Sequence, residues 1–263
     1  MLKQAILDEI TKKDYSLIKN KIESFLVQEI SQRESSGVIF GLSGGIDSAV
    51  IAVLCANSLK KKTLALIMPD SKVTPKKDTE DALKLVDKLG IEYKLIDINA
   101  VHKEYSKYIE PNQLALGNLR ARIRANILYY YANAKNYLVL GSSDKSEFLI
   151  GYFTKFGDGA ADLLPIVSLY KTQVRQFAKF LGIPDSIISK KSSPSLWQDH
   201  LAESELGSSY EVIDAVLHCS VDNNLSLQDT ASFTGIEPSI VEKIHKLYKK
   251  NEHKRITPKA CQL

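Results

Sequence analysis

Cysteine is scarce in this 263-residue sequence: Cys55, Cys219 and Cys261 stand far apart, with no CxxC pair and no histidine at metal-ligand spacing. That argues against a disulfide scaffold and a zinc site, and it fits a reducing cytosol. No apolar run approaches the length needed to cross a bilayer, and the first residues mix charge with apolar side chains where a signal peptide would carry an apolar core. The expectation is a soluble, cytoplasmic protein. An excess of one charge is also missing. The net charge of +4 speaks for anionic small ligands no more than for RNA. Internal repeats and low-complexity linkers are absent as well. What is present is ordinary globular composition, 44% hydrophobic and 25% charged, with enough length to bury a core.

Hydrophobic spacing gives the architecture. Leu17, Ile18, Ile22, Phe25, Leu26 and Ile30 recur at helical spacing between Asp14 and Ser31. The period then changes. Gly37-Val-Ile-Phe-Gly-Leu42 is a short apolar run suited to a strand buried on both faces, and a helical pattern follows from Ala49 to Leu59. Further strands are predicted over 63–68, 93–98 and 137–140. Helices are predicted over 78–89, stopped by Gly90, and over 117–134. Strands alternating with helices imply right-handed crossovers, and hence an α/β fold: a doubly wound parallel sheet with helices on both faces. Helical patterns resume over 170–181, 206–218 and 226–250, the last split by Gly235-Ile-Glu-Pro238. A small helical C-terminal part is therefore expected after an α/β core of residues 1–185, covering 186–263.

The segment Gly41-Leu-Ser-Gly-Gly-Ile-Asp-Ser48 falls between the first strand and its helix, where an open α/β sheet binds ligands. Gly44 and Gly45 let the backbone approach a ligand, and free N–H groups at a helix start favour phosphate. Ser43 and Ser48 add hydroxyl donors. The lysine of a Walker A loop is missing, and so is the GxGxxG dinucleotide pattern. Asp47 would repel phosphate unless a cation lay between them, which suggests Mg²⁺ bridging a pyrophosphate. A glycine pair can also make nothing more than a tight turn. The octapeptide, however, resembles the SGGxDS loop of the N-type ATP pyrophosphatases, which split ATP between its α and β phosphates.

Within that superfamily the rest of the chain resembles the ammonia-dependent NAD synthetases. The resemblance runs in order through Gly141-Ser-Ser-Asp-Lys-Ser-Glu147, Gly151-Tyr-Phe-Thr-Lys-Phe-Gly-Asp-Gly159, Asp162-Leu-Leu-Pro165, Lys171-Thr-Gln-Val-Arg175 and His253-Lys-Arg255. It implies that Gly41, Leu42, Ser43, Gly44, Gly45, Ile46, Asp47, Ser48, Ser142, Lys171 and Ser193 bind ATP. It further implies that Asp47 and Glu147 hold Mg²⁺, and that Arg122, Lys155, Asp162, His253 and Lys254 bind deamido-NAD. Read without the resemblance, Glu147 would be a solvated helix-start residue paired with Lys145, the lysines solvated surface charges, and residues 253–255 a basic tail. Arg120 and Arg124 fall on other helix faces than Arg122 and are read as solvated. Where the family often has GQxDExELG, this chain has His200-Leu-Ala-Glu-Ser-Glu-Leu-Gly207, with Ala202 in place of the aspartate. The role of that loop stays open, and Ser143 and Asp144 have no assignment.

The reaction so implied adenylates a nicotinate carboxylate, releases pyrophosphate, and lets ammonia displace AMP to give NAD. Such chemistry asks mainly for positioning and charge neutralisation. Glutamine-using relatives add an amidase domain with a cysteine nucleophile; nothing in these residues looks like one, so free ammonia is the expected donor. The resemblance also implies a homodimer, and no nucleic-acid or membrane partner is expected. A tRNA-modifying adenylase would show a basic stripe or thiol-transfer cysteines. A non-catalytic nucleotide-binding regulator would bind ATP without releasing pyrophosphate.

Overall fold

The computed structural model describes residues 2–261. Four strands, β1 (Gly37–Gly41), β2 (Thr63–Ile67), β3 (Glu92–Leu95) and β4 (Tyr137–Leu140), form one parallel sheet in the order β3-β2-β1-β4. Ile39 of β1 pairs with Leu64 on one side and Val139 on the other, and all three are almost wholly buried. Central strands of this kind are covered on both faces, which is why they read as continuous apolar runs. β3 lies at the edge, carries Glu92, Tyr93 and Lys94, and ends at Leu95, short of the expected Ile98.

Helices α1 (Gln4–Thr11) and α2 (Tyr15–Gln32) precede the sheet, and α3 (Ile46–Leu59) connects β1 to β2. Asp14 caps α2 by accepting from Leu17 N at 2.9 Å. α4 (Lys76–Leu89) connects β2 to β3, and Gly90 ends it in the left-handed conformation, φ 65°. α5 (Asn99–Ser106) and α6 (Gln113–Lys135) connect β3 to β4. After β4 come α7 (Lys145–Ile150), α8 (Lys171–Phe180), α9 (Asp185–Ile188), α10 (Ala202–Leu206), α11 (Tyr210–Leu217), α12 (Leu227–Thr234) and α13 (Pro238–Lys250). No helix among the described residues is long and apolar enough to cross a membrane.

α3 is apolar all round because it is buried all round: Ala49 through Cys55 have little or no exposure, and α2, α4 and α8 pack against it. These helices cover one face of the sheet through Leu26, Val50, Leu54, Val86 and Phe177. α6 covers the other face, where Ile123 and Ala132 meet Ile39, Leu66 and Val139. The expected doubly wound α/β sheet with helices on both faces is what forms. A further apolar cluster joins Ile6 and Ile10 of α1 to Tyr210, Ile213, Val216, Val241 and Ile244 of the later helices. α1 has only this one narrow apolar seam, and it was not read from the sequence.

Candidate active site

The chain leaves β1 toward β2 on one side and returns to β4 on the other, so the sheet has its topological switch point between the carboxyl ends of β1 and β4. Open α/β sheets bind ligands at that place. A cleft of about 720 Å³ opens there, lined among others by Gly41, Asp47, Ser142, Glu147, Ser193 and Lys254.

The loop after β1 is built for close approach. Leu42 N donates to Leu66 O at 2.8 Å, Gly44 turns with φ 80°, and Gly45 caps α3. A Cβ at Gly44 would lie 2.1 Å from the carbonyl oxygen of Asp78, so only glycine fits. Gly44→Ala should lower ATP affinity by about ten- to a hundredfold, since strain of this kind costs about 1–3 kcal/mol. Calorimetric titration with ATP checks it, and unchanged affinity would count against the loop as the phosphate cradle. Ser48 is buried and its Oγ lies 3.1 Å from Ser43 Oγ, while Gly45 N donates to Ser43 Oγ at 3.2 Å. The two hydroxyls thus brace the loop internally. Lys190, which the sequence reading did not single out, clamps it from outside by donating to Gly44 O at 2.9 Å and Asp78 Oδ1 at 2.7 Å.

Beside this loop three carboxylates converge. Asp47 stands in the first turn of α3; Asp144 caps α7, accepting from Glu147 N at 2.8 Å; Glu147 stands in the first turn of α7. Each offers an oxygen, and all three oxygens lie within 4.8 Å of one another. Lys171, at the start of α8 and fully buried, reaches them all: Asp144 at 2.7 Å, Asp47 at 2.8 Å and Glu147 at 2.9 Å. The helix starts are locked together behind it. Ser146 Oγ donates to Asp214 Oδ1 at 2.5 Å and accepts from Lys171 N at 2.8 Å, and Thr172 N donates to Asp214 Oδ2 at 2.9 Å.

One lysine does not balance three acids. Burial pushes the Glu147 carboxyl up to about 8 and the Asp144 carboxyl up to about 6, against the pull of Lys171. Burial acts to lower the Lys171 ammonium, but Asp144, Asp47 and Glu147 outweigh it and hold it well above the ordinary lysine value. Asp47 Oδ1 is buried with no hydrogen-bond partner. An orphaned acceptor in a crowded all-oxygen cluster fits a hard divalent cation. The alternative reading of Glu147, a solvated residue paired with Lys145, does not hold, since Lys145 meets Asp222 at 2.7 Å; Asp144, unassigned from the sequence, joins Asp47 and Glu147 in the cluster.

Around the cleft, Arg124 is half-buried and donates to Met68 O at 2.9 Å, and Arg120 pairs with Asp70 at 2.6 Å. Their reading as a solvated face is corrected: α6 is flanked on that side by the chain leaving β2, whose carbonyls and Asp70 take both guanidinium groups. Arg122 is exposed and donates to Lys155 O at 3.3 Å, and Lys155 Nζ donates to His253 O at 2.9 Å. Lys254 Nζ donates to Gly151 O at 2.7 Å and Phe153 O at 2.9 Å, tying the chain after α13 to the loop over 151–159. The segment 253–255 is thus docked and not a loose tail. Asp162 accepts from Val139 N at 2.8 Å and from Tyr129 Oη at 3.3 Å. Arg122, Lys155, Asp162, Lys171 and His253 are not in the cleft wall itself, whereas Ser193, whose hydroxyl donates to His200 O, is.

The sequence profile described as NAD synthase matches residues 18–258. An NH(3)-dependent NAD(+) synthetase of Staphylothermus marinus is 49% identical, over 93% of this chain and 90% of its own. One of Aeropyrum pernix is 43% identical, over 98% and 92%. Among solved structures, an NMN synthetase from Francisella tularensis superposes with a TM-score of 0.84 at 33% identity, covering 95% of this chain and 100% of that one. An NH3-dependent NAD synthetase from Campylobacter jejuni does so at 0.81 and 34%, with the same coverage.

Proposed function

The chain belongs to the NAD synthase family, and on that premise we propose that it amidates the nicotinate carboxylate of deamido-NAD with ammonia, driven by ATP, giving NAD, AMP and pyrophosphate. The observation that carries the reading is the carboxylate cluster of Asp47, Asp144 and Glu147 beside the glycine loop at the switch point.

Asp47, Asp144 and Glu147 would hold Mg²⁺, and the ion would neutralise charge on the ATP phosphates. The N–H groups of Gly44 and Ile46 and the start of α3 bind the phosphate oxygens, while those of Ser43 and Gly45 are held by the loop's own hydroxyls. Lys171 balances whatever negative charge the cluster keeps, and Lys190 holds Gly44 in its positive-φ conformation. Attack of the nicotinate carboxylate on the α-phosphorus expels pyrophosphate, and the acyl adenylate so formed is opened by ammonia. The joined set of Arg122, Lys155 and His253, continuous with Lys254, is the region that takes the anionic dinucleotide. Asp162 acts there by anchoring that loop to β4. The active unit is read as a homodimer, supported by the exposed apolar residues Leu17 and Val27 on α2, and its place as the cytoplasm, supported by the buried free thiols of Cys55 and Cys219.

The test is NAD formation from deamido-NAD, ATP, Mg²⁺ and ammonium, following AMP and pyrophosphate in the same samples. Equal amounts of NAD, AMP and pyrophosphate are expected. ATP binding with neither product would remove the synthetase reading. Nicotinate mononucleotide belongs in a parallel assay because the Francisella tularensis structure is described as an NMN synthetase; amidation of the mononucleotide alone would move the substrate assignment to it.

A further inference from the structure

The three carboxylates, the lysine and the glycine loop account for adenylation, but not for the proton that ammonium must lose before its nitrogen can attack. Resting on the reading above, we propose that His200 is the base that takes this proton, held in the correct tautomer by Glu205 and Tyr152.

His200 lies in the loop before α10, and Glu205 lies on α10. His200 Nε2 is 2.7 Å from Glu205 Oε2, and Tyr152 Oη donates to the same oxygen at 2.7 Å. A carboxylate facing Nε2 makes that nitrogen the protonated one and leaves the lone pair on Nδ1. Nδ1 is buried and has no hydrogen-bond partner, although the side chain is only 3% exposed. A buried acceptor without a donor implies a missing donor, and ammonium is a donor the reaction itself brings.

His200, Glu205 and Tyr152 all line the same cleft as Asp47, Ser142 and Glu147. Tyr152 fixes the connection, because its backbone N–H donates to Glu147 O at 2.8 Å while its hydroxyl reaches Glu205. The base is therefore mounted next to α7, the helix that carries Glu147 and is capped by Asp144. Trp197 stacks on the imidazole with ring centroids 3.5 Å apart and an interplanar angle of 12°. It covers one face of the ring and keeps water from it. Gly117 of α6 lets this loop come close: a Cβ there would lie 2.9 Å from Leu196 Cβ.

The step balances as follows. Ammonium gives one proton to Nδ1, and the imidazolium is stabilised by the Glu205 carboxylate on the far side of the ring. The lone pair of the resulting ammonia forms the C–N bond to the acyl carbon. The C–O bond to AMP breaks, its electron pair leaving on the phosphate, and a second proton passes from the new amide nitrogen to that phosphate or to water.

His200→Gln and Glu205→Gln test the proposal in two assays. Deamido-NAD-dependent exchange of labelled pyrophosphate into ATP, run without ammonium, reports adenylation; NAD formation reports the whole reaction. For His200→Gln the ratio of NAD formation to exchange should fall by about a hundredfold, the usual size of a general-base contribution. Glu205, which acts through His200 and is half-exposed, should give a fall of about tenfold when replaced by Gln. Hydroxylamine, uncharged at neutral pH and in no need of a base, should restore turnover in His200→Gln to near the exchange rate, read as AMP release with formation of the hydroxamate. Unchanged ratios in both variants, or equal losses with ammonium and hydroxylamine, would overturn the assignment. Absence of exchange in the unaltered protein would instead overturn adenylation itself.

Discussion

Lys171→Met should lower the melting temperature by roughly 6–20 °C and abolish NAD formation. The ammonium of Lys171 is fully buried and contacts three carboxylates between 2.7 and 2.9 Å. Removing one partner of a buried ion cluster costs about 3–5 kcal/mol, because the remaining charges stay in a poorly solvating place. In a chain of this size each kcal/mol shifts the midpoint by about 2–4 °C. The deficit should depend on pH with a definite sign. With Lys171 present, burial already holds Glu147 at about 8 and Asp144 at about 6; without it both rise. An unfolded carboxyl releases its proton near 4. Between about pH 4 and 8 the folded variant thus keeps protons that the unfolded chain has lost, so its stability falls as pH rises through that window. Thermal melts at pH 5.5 and 8 check this, and a smaller deficit at pH 8 would contradict it. Magnesium should raise the midpoint of Lys171→Met more than that of the unaltered protein at pH 8, since the metal can replace the lost cation on deprotonated ligands. No response to magnesium in either protein would mean that the three acids do not form a cation site.

The sheet was legible because its central strands obey a local rule: each is apolar on both faces, and each is followed by a glycine or polar turn and a helix of its own period. The glycine loop was legible for the same reason, since its requirement is a backbone requirement and shows in glycines at fixed places. Asp144 was not legible as a ligand. Its neighbours Ser143 and Lys145 give it the look of a solvated helix cap, which it also is, and only the placement of α8 brings Lys171 over it. Arg124 failed for a related reason. Three arginines at alternate positions of α6 cannot share one face, but the chain after β2 covers a second face and takes the guanidinium on Met68 O. The pairing of His200 with Glu205 depends on how α10 turns back toward Tyr152, a contact across 53 residues that no local pattern announces. Lys190 is similar, clamping Gly44 from 146 residues away.

Asp47→Asn should separate stability from activity in the opposite sense to Lys171→Met. The substitution keeps the shape of the side chain and removes one negative charge from a cluster in which three acids share one lysine. Repulsion among Asp47, Asp144 and Glu147 falls, so the melting temperature should stay the same or rise, as is common where a site stores unfavourable charge for function. Activity should nevertheless drop by about a thousandfold, an estimated 4 kcal/mol of lost charge stabilisation at the phosphates. The loss should be equal for pyrophosphate release and NAD formation, because Asp47 serves the first chemical step and the second cannot begin without it. That equality distinguishes it from His200→Gln, for which pyrophosphate exchange survives and only amide formation fails. Should Asp47→Asn release pyrophosphate at the original rate, the carboxylate would have no part in adenylation, and the cation site would have to be assigned to Asp144 and Glu147 alone. If it melted well below the unaltered protein, Asp47 would instead be a stabilising partner of Lys171, and the orphaned Oδ1 would lose its meaning as a vacant ligand.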